Sequence, residues 1–218
     1  MLNMLKVIDL GSAASEDGAQ DLCDRLTNAA KALPGIRSQI VGKTLPRAIN
    51  GGQVMWRAVL AAESDYWTCV ASPEWRTTID PLISPFAIDS VIYRTGISDC
   101  SAGRRQQGIW RCLVLAIESG ASQNIVRQFE KDLLLMPTLV RAIRNWSLSS
   151  IILATGHRRW THIWEQEFDD IAGLEGEYML HPIHWGLVDG WFDPECPQRI
   201  VDPWLIHASM DITEAVIR

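Results

Sequence analysis

Residues Gly156–Asp193 read GHRRWTHIWEQEFDDIAGLEGEYMLHPIHWGLVDGWFD, and this stretch decides the fold. It holds four of the five histidines and four of the ten tryptophans. Trp160, His162, Trp164 and Gln166 alternate with Thr161, Ile163 and Glu165, the period-2 spacing of a strand over Trp160–Phe168. A helical piece follows over Leu174–Trp191, broken near Pro182. Within it Tyr178, His181 and His184 are spaced by three and share a helix face. A strand ending beside such a helix brings His162 near Tyr178 and His184, proton-transfer groups on an otherwise apolar wall.

Working outward, the second half adds a strand over Ile109–Ile117 and a helix capped by Ser122. That helix carries Ile125, Phe129, Leu133 and Met136 on one face and ends at Pro137. Strands over Val140–Ser149 and Ile200–Ala208 complete this half. The first half repeats the order. A strand over Met4–Leu10 precedes a helix over Glu16–Leu33, capped by Ser15 and stopped by Pro34-Gly35. Strands over Ile36–Leu45 and Val54–Leu60 follow, then helical pieces over Asp65–Ser72 and Glu74–Ile83 and a strand over Phe86–Arg94. Residues 97–108, rich in Ser, Arg and Gln, read as a linker between units at 1–96 and 109–218.

The halves also match in sequence. ALPGIRSQIVGKTL at 32–45 corresponds to LMPTLVRAIRNWSL at 135–148, and Ser72-Pro73-Glu74-Trp75 corresponds to His181-Pro182-Ile183-His184. One β-α-β-β-α-β unit makes a ferredoxin-like layer with a bare sheet face. Two copies bury those faces against each other. The expectation is an α+β chain, two ferredoxin-like units fused into a pseudo-dimeric barrel of eight strands with helices outside.

Composition narrows the function. The 218 residues are 47% hydrophobic and 21% charged, enough for a normal core, with net charge -6 and no basic tract. That balance argues against nucleic acid and against an anionic membrane surface as partners. No apolar run approaches the roughly 18 residues of a membrane span. Five cysteines without a CxxC pair fit free thiols in a reducing cytoplasm. No nucleotide-binding glycine motif and no nucleophile elbow is present.

The second half resembles the stress-responsive A/B barrel (Dabb) domains of the dimeric α+β barrel superfamily. WRCLVLAI at 110–117, RWTHIWEQEF at 159–168 and EYMLHPIHWGL at 177–187 carry the resemblance, over about residues 109–212. The first half resembles the family weakly. A polyketide cyclase of the family is similar over these segments. The resemblance implies His184 and Tyr178 as catalytic residues and His162 as a substrate contact. It puts Arg111 where the cyclase has a pocket histidine, which separates this chain from the same substrate. In the first half Trp75 stands for His184, so a site is expected in the second half only.

From the residues themselves, a neutral His184 can take a proton and Tyr178 can polarise a carbonyl. The bland alternative makes both of them buried hydrogen-bond partners. Trp160 and Trp164 fit either an aromatic pocket wall or core. His181, before Pro182, fits a cap better than a ligand contact. A metal set of His162, His181, His184 and Glu165 is the weaker reading: His181 and His184 can chelate across a helical turn, but His162 and Glu165 point to opposite strand faces, so no metal is expected. Glu165, Glu167, Asp169 and Asp170 read as a solvated edge, and His207 as a core histidine.

The expected function is therefore proton-transfer chemistry of lyase, cyclase or isomerase type, without metal or redox cofactor. The substrate would be a small apolar or aromatic carbonyl compound. The alternative is a non-catalytic ligand-binding or stress-response barrel. A cofactor-free monooxygenase is a third reading. The chain length leaves open pairing of the fused barrel as a homodimer.

Overall fold

The structure is a computed structural model and describes residues 1–100 and 107–217. The first half contains β1 (Leu2–Asp9), α1 (Glu16–Ala30), β2 (Ile36–Lys43), β3 (Val54–Leu60), α2 (Glu63–Ala71), a π-helical turn at Trp75–Ile79, α3 (Asp80–Ile83) and β4 (Ala87–Arg94). After β5 (Ile97–Asp99), the second half contains β6 (Gly108–Leu115), α4 (Gln123–Leu133), α5 (Met136–Leu139), β7 (Trp146–Thr155) and β8 (His162–Phe168). Two π-helical turns, Gly173–Tyr178 and His184–Val188, a 3-10 turn at Asp189–Trp191 and β9 (Ile206–Ile212) follow.

The strands form one antiparallel sheet in the order β2-β3-β1-β4-β7-β8-β6-β9, with β5 paired to β7 off this path. Each half contributes its strands in the same order, as two ferredoxin-like units do. At one seam β4 pairs with β7. At the other, β2 and the loop after it meet β9: Leu45 N donates to Ser209 O at 2.8 Å, and Ile49 and His207 exchange a pair of backbone bonds. The expected pseudo-dimeric α+β barrel is what forms, with a ninth strand added.

Alternation along the strands explains the layering. Leu5, Val7, Met55 and Tyr93 from the first half meet Trp110, Cys112, Ile163 and Met210 from the second in one cluster inside the barrel. The opposite faces pack outward onto helices. Leu26, Trp56, Trp75 and Ile79 form the outer core of the first half. Phe129, Leu133, Trp164, Tyr178 and Trp191 form that of the second.

Local signals hold well in the first half. Ser15 Oγ accepts from Gly18 N at 3.0 Å, and α1 buries Ala19, Leu22, Cys23, Leu26 and Ala30 along one stripe. Ser15→Ala removes that acceptor and is expected to cost about 1 kcal/mol. A melting experiment should read this as a drop of about 2–4 °C for a chain of this size.

Other expectations shift. Pro137 does not end a helix but sits in the first turn of α5, where its missing N–H costs nothing. The strand expected from Val140 starts at Trp146, because Val140 and Ile143 are used in turns. The last strand starts at Ile206, not Ile200. Asp202 Oδ1 accepts from Trp204 N across Pro203, and that turn holds the strand off. Of the expected linker at 97–108, Ile97–Asp99 is strand β5 and Gly108 opens β6; residues 101–106 lie outside the described residues.

The acidic run is the largest correction. Glu165 and Glu167 are 1% and 2% exposed, inside the barrel. Glu165 pairs with Arg57 at 2.7 Å and accepts from Trp110 Nε1 and Ser147 Oγ. Glu167 accepts from Asn145 Nδ2 and from the backbone N–H groups of Val216 and Ile217. Partners distant in sequence make burial of these carboxylates tolerable. Only Asp169 and Asp170 behave as an edge, with Asp169 bound by Arg144 at 2.6 Å and Asp170 Oδ1 accepting from Gly173 N.

Candidate functional site

The outer face of the second half holds a cavity of about 220 Å³, between β6, β8 and β9 below and the two π-helical turns above. Leu113, Leu133, Trp164, Val188 and Phe192 give it apolar walls. Five polar side chains line it: Arg111, Tyr178, His184, Asp189 and His207. Each π-helical turn inserts a residue into helical winding, a feature frequent at functional sites. Here Tyr178 closes one turn and His184 opens the next.

Arg111 is the hub and is 2% exposed. Its Nε donates to His207 Nε2 at 2.9 Å and its Nη1 donates to Gln166 Oε1. Its guanidinium lies 5.0 Å above the Tyr178 ring, a cation–π position. Tyr178 meets the His184 ring edge-on at 5.0 Å and Phe168 at 5.4 Å. His184 Nδ1 lies 3.3 Å from Asp189 Oδ1. A proton shared there leaves Nε2 as the free basic nitrogen.

The electrostatics set three protonation states. Burial pushes the His184 imidazole below its ordinary value; Asp189 opposes this and Arg111 adds to it. His184 is therefore a neutral base near pH 7. Burial raises the Tyr178 phenol, which keeps its proton and can donate it to an oxygen. The Arg111 charge, then burial and His184, push His207 down to about 3. A neutral His207 is what lets Nε2 accept from Arg111.

The His207 shift has a measurable consequence. An unfolded histidine titrates near 6.5, so below that pH the unfolded chain binds a proton that the folded chain refuses. The sign follows: stability is complete above about pH 6.5 and is lost as pH falls toward 3. His207→Gln, which keeps an acceptor without a titrating ring, should flatten this acid limb. Melting curves from pH 7 to pH 4 compare the two; parallel losses would exclude His207 as a cause.

Of the residues expected at a site, the structure gathers Arg111, Trp164, Tyr178 and His184 around the cavity. Trp160 is elsewhere. It precedes β8, points into the barrel cluster and donates from Nε1 to Asp89 at 3.0 Å. His162 also stays off the cavity walls. Its Nδ1 contacts Thr161 Oγ1 at 2.9 Å, its Nε2 contacts Glu130 Oε1 at 3.3 Å, and its ring stands edge-on to Phe129. His181 accepts from Ile183 N at 3.3 Å, the local cap its place before Pro182 implies. Sequence reasoning missed Asp189 and His207. Asp189 lies five residues after His184, the spacing a π-helical turn brings together. His207 reads as a core histidine in either strand; only its bond from Arg111 on the paired strand β6 ties it to the cavity.

The first half shows the same backbone device with the cavity filled. Trp75 opens a π-helical turn as His184 does, and Trp75 Nε1 donates to Asp80, five residues on, at 2.7 Å. The Trp75 ring stacks on Trp56 at 5.6 Å, with Lys6 Nζ 5.4 Å from it. An indole thus occupies the position that the second half gives to an imidazole.

No group of three or more metal-ligating side chains occurs among the described residues. Among those residues no helix is long and apolar enough to cross a membrane.

Two ferredoxin-like halves closed into one barrel, with a cavity between sheet and broken helices, define an α+β barrel protein. Residues 109–202, within the second half, match the family described as Stress responsive A/B Barrel Domain. Among curated proteins no sequence matches the chain. Among solved structures, an anthrone oxidase-like protein superposes with a TM-score of 0.72 at 10% identity, covering 98% of this chain and 92% of its own. A Fusobacterium nucleatum protein provisionally named a monooxygenase gives 0.56 at 9% identity, covering 97% and 91%. A major regulator of staphylococcal pathogenesis gives 0.52 at 8% identity, covering 96% and 98%. At these identities the likeness is one of fold, and it runs over both halves.

Proposed function

We propose that the second-half cavity binds a small aromatic or otherwise apolar carbonyl compound and moves a proton on the carbon beside its carbonyl. The observation that supports this reading most is His184, its Nδ1 held by Asp189, on an apolar wall shared with Tyr178 and Arg111. In the reaction, His184 Nε2 takes the proton from carbon. The electron pair of the broken C–H bond moves onto the carbonyl oxygen. The Tyr178 O–H and the Arg111 charge stabilise the resulting enolate. Return of the proton to another atom of the enolate gives an isomerase outcome. Attack of the enolate carbon on a second carbonyl, whose oxygen takes the His184 proton, gives a cyclase outcome, and collapse of the enolate with expulsion of a β leaving group, which takes that proton, gives a lyase outcome. No redox cofactor is needed for any of these steps.

The test is exchange of α-protons of aryl ketones into deuterated water, followed by NMR. Enzyme-dependent exchange should level off near neutral pH and fall on the acid side, below the ordinary imidazole value of about 6.5, as His184 becomes protonated. Absence of both exchange and binding across a ketone panel would reject the reading.

A binding barrel without catalysis is the second reading. It is favoured by one observation: Arg111 is already engaged by Gln166 and His207. That reading expects ketone binding without exchange.

A further inference from the structure

A cavity of about 220 Å³ is small for a ligand site, which typically measures about 300–1,000 Å³. A second chamber of about 280 Å³ adjoins it. Ile49, Met179 and His207 line both, so these three side chains form the partition. The second chamber is predominantly apolar. Its far walls are Ala48, from the loop between β2 and β3 of the first half, and Ile171, Leu174 and Ser209 from the second.

That loop is built to stay in place. Ile49 N donates to His207 O at 2.8 Å and His207 N returns a bond to Ile49 O at 2.9 Å. Asn50 Nδ2 donates to Leu205 O at 2.8 Å. Arg47 and Asn50 hold positive φ of 70° and 51°, and Gly52 holds 57°. At Gly52 an added Cβ would stand 2.3 Å from Ile8 O, so the tight turn demands glycine. Arg47 also reaches Glu175 at 3.1 Å, joining the loop to the first π-helical turn of the second half. The partition is softer than the loop. Met179 is unbranched and adaptable, and Ile49 is 54% exposed.

We propose that the two chambers form one elongated site. The first-half loop at 44–53 serves as its specificity wall, and the natural ligand carries an apolar ring or extension beyond its reactive carbonyl. This rests on the carbonyl reading of the first chamber. The carbonyl sits at Arg111, Tyr178 and His184, and the extension passes Ile49 and Met179 into the second chamber. On this account the first half, whose own cavity Trp75 fills, is retained because it completes the site of the second.

The test compares acetophenone, with one ring, and 2-acetylnaphthalene, with two, by calorimetry. The wild-type chain should bind the two-ring ketone at least about tenfold more tightly, since burying the added ring removes several CH-sized units from water. Ser209→Phe fills the second chamber without touching the first. It should erase that preference while acetophenone affinity stays within about twofold. Ile171→Trp, at a position 43% exposed, is the second variant, should Ser209→Phe fold poorly. Ile49→Ala, which thins the partition, should widen the preference. If the two-ring preference survives both filling variants, or is absent in the wild type while acetophenone binds, the elongated site is wrong and the carbonyl reading stands. If neither ketone binds the wild-type chain, both fall together.

Discussion

His184→Ala is expected to lower α-proton exchange by about 10²–10⁴-fold, the usual contribution of a positioned acid–base group. The cavity walls and Arg111 remain, so ketone affinity should change far less than the exchange rate. Two controls separate chemistry from structure. His184→Asn puts an amide N–H in place of Nδ1 and keeps the Asp189 contact at 3.3 Å, but supplies no base. It should fold like the wild type and be as slow as His184→Ala. Added imidazole should restore part of the exchange in His184→Ala, because deleting the ring leaves room for it. A purely structural histidine predicts instead a large loss of melting temperature in His184→Ala and no rescue. Exchange within threefold of wild type in both variants would remove His184 from the mechanism.

Glu165→Ala is expected to be the most destabilising single change in the barrel. Glu165 and Arg57 have side chains 1% and 4% exposed and meet at 2.7 Å. Removing the carboxylate leaves a guanidinium that cannot discharge, with Asn3 Oδ1 at 3.1 Å as a neutral acceptor. It also strips the acceptor from Trp110 Nε1 and Ser147 Oγ. Breaking such a pair costs about 3–5 kcal/mol, which for a chain of this size is a fall of about 6–20 °C in melting temperature. Joint replacement, Glu165→Leu with Arg57→Met, should recover most of the loss, since neither charge is then stranded. A fall under about 2 °C for Glu165→Ala would show that Arg57 finds other solvation. The pair joins the two halves across the barrel interior, so this measurement also reads how strongly the halves hold each other.

What could be read from the chain depended on range. The β-α-β-β-α-β order, the Ser15 and Ser122 caps and the Tyr178–His184 grouping are local: they follow from alternation, three-residue spacing and breakers such as Pro34 and Pro182. The match of Ser72–Trp75 to His181–His184, each leading into a π-helical turn, points to two units, and two units with bare sheet faces imply a barrel. The match of 32–45 to 135–148 fails in register, because it lays β2 on α5 and the turns that precede β7.

Where alternation was extended past its strand, it misled. Trp160 shares parity with Trp164, yet β8 begins at His162 and the tryptophan turns into the barrel. The acidic pattern at 165–170 carried a surface signature; burial of Glu165 rests on Arg57, 108 residues away, and that of Glu167 on backbone N–H groups some 50 residues on.

By itself, then, the sequence determined the elements, the pairing of two similar halves and one histidine–tyrosine cluster, because each is written in spacings of a few residues. Only the tertiary structure decided that His207 and Asp189 meet that cluster, that Trp75 stands in the matching place of the first half and that Ile49 of the first-half loop lines the second-half cavity. Those outcomes depend on which side chains meet across the closed sheet. Hydrogen bonds and charge pairs between distant strands settle that, and no local pattern records them.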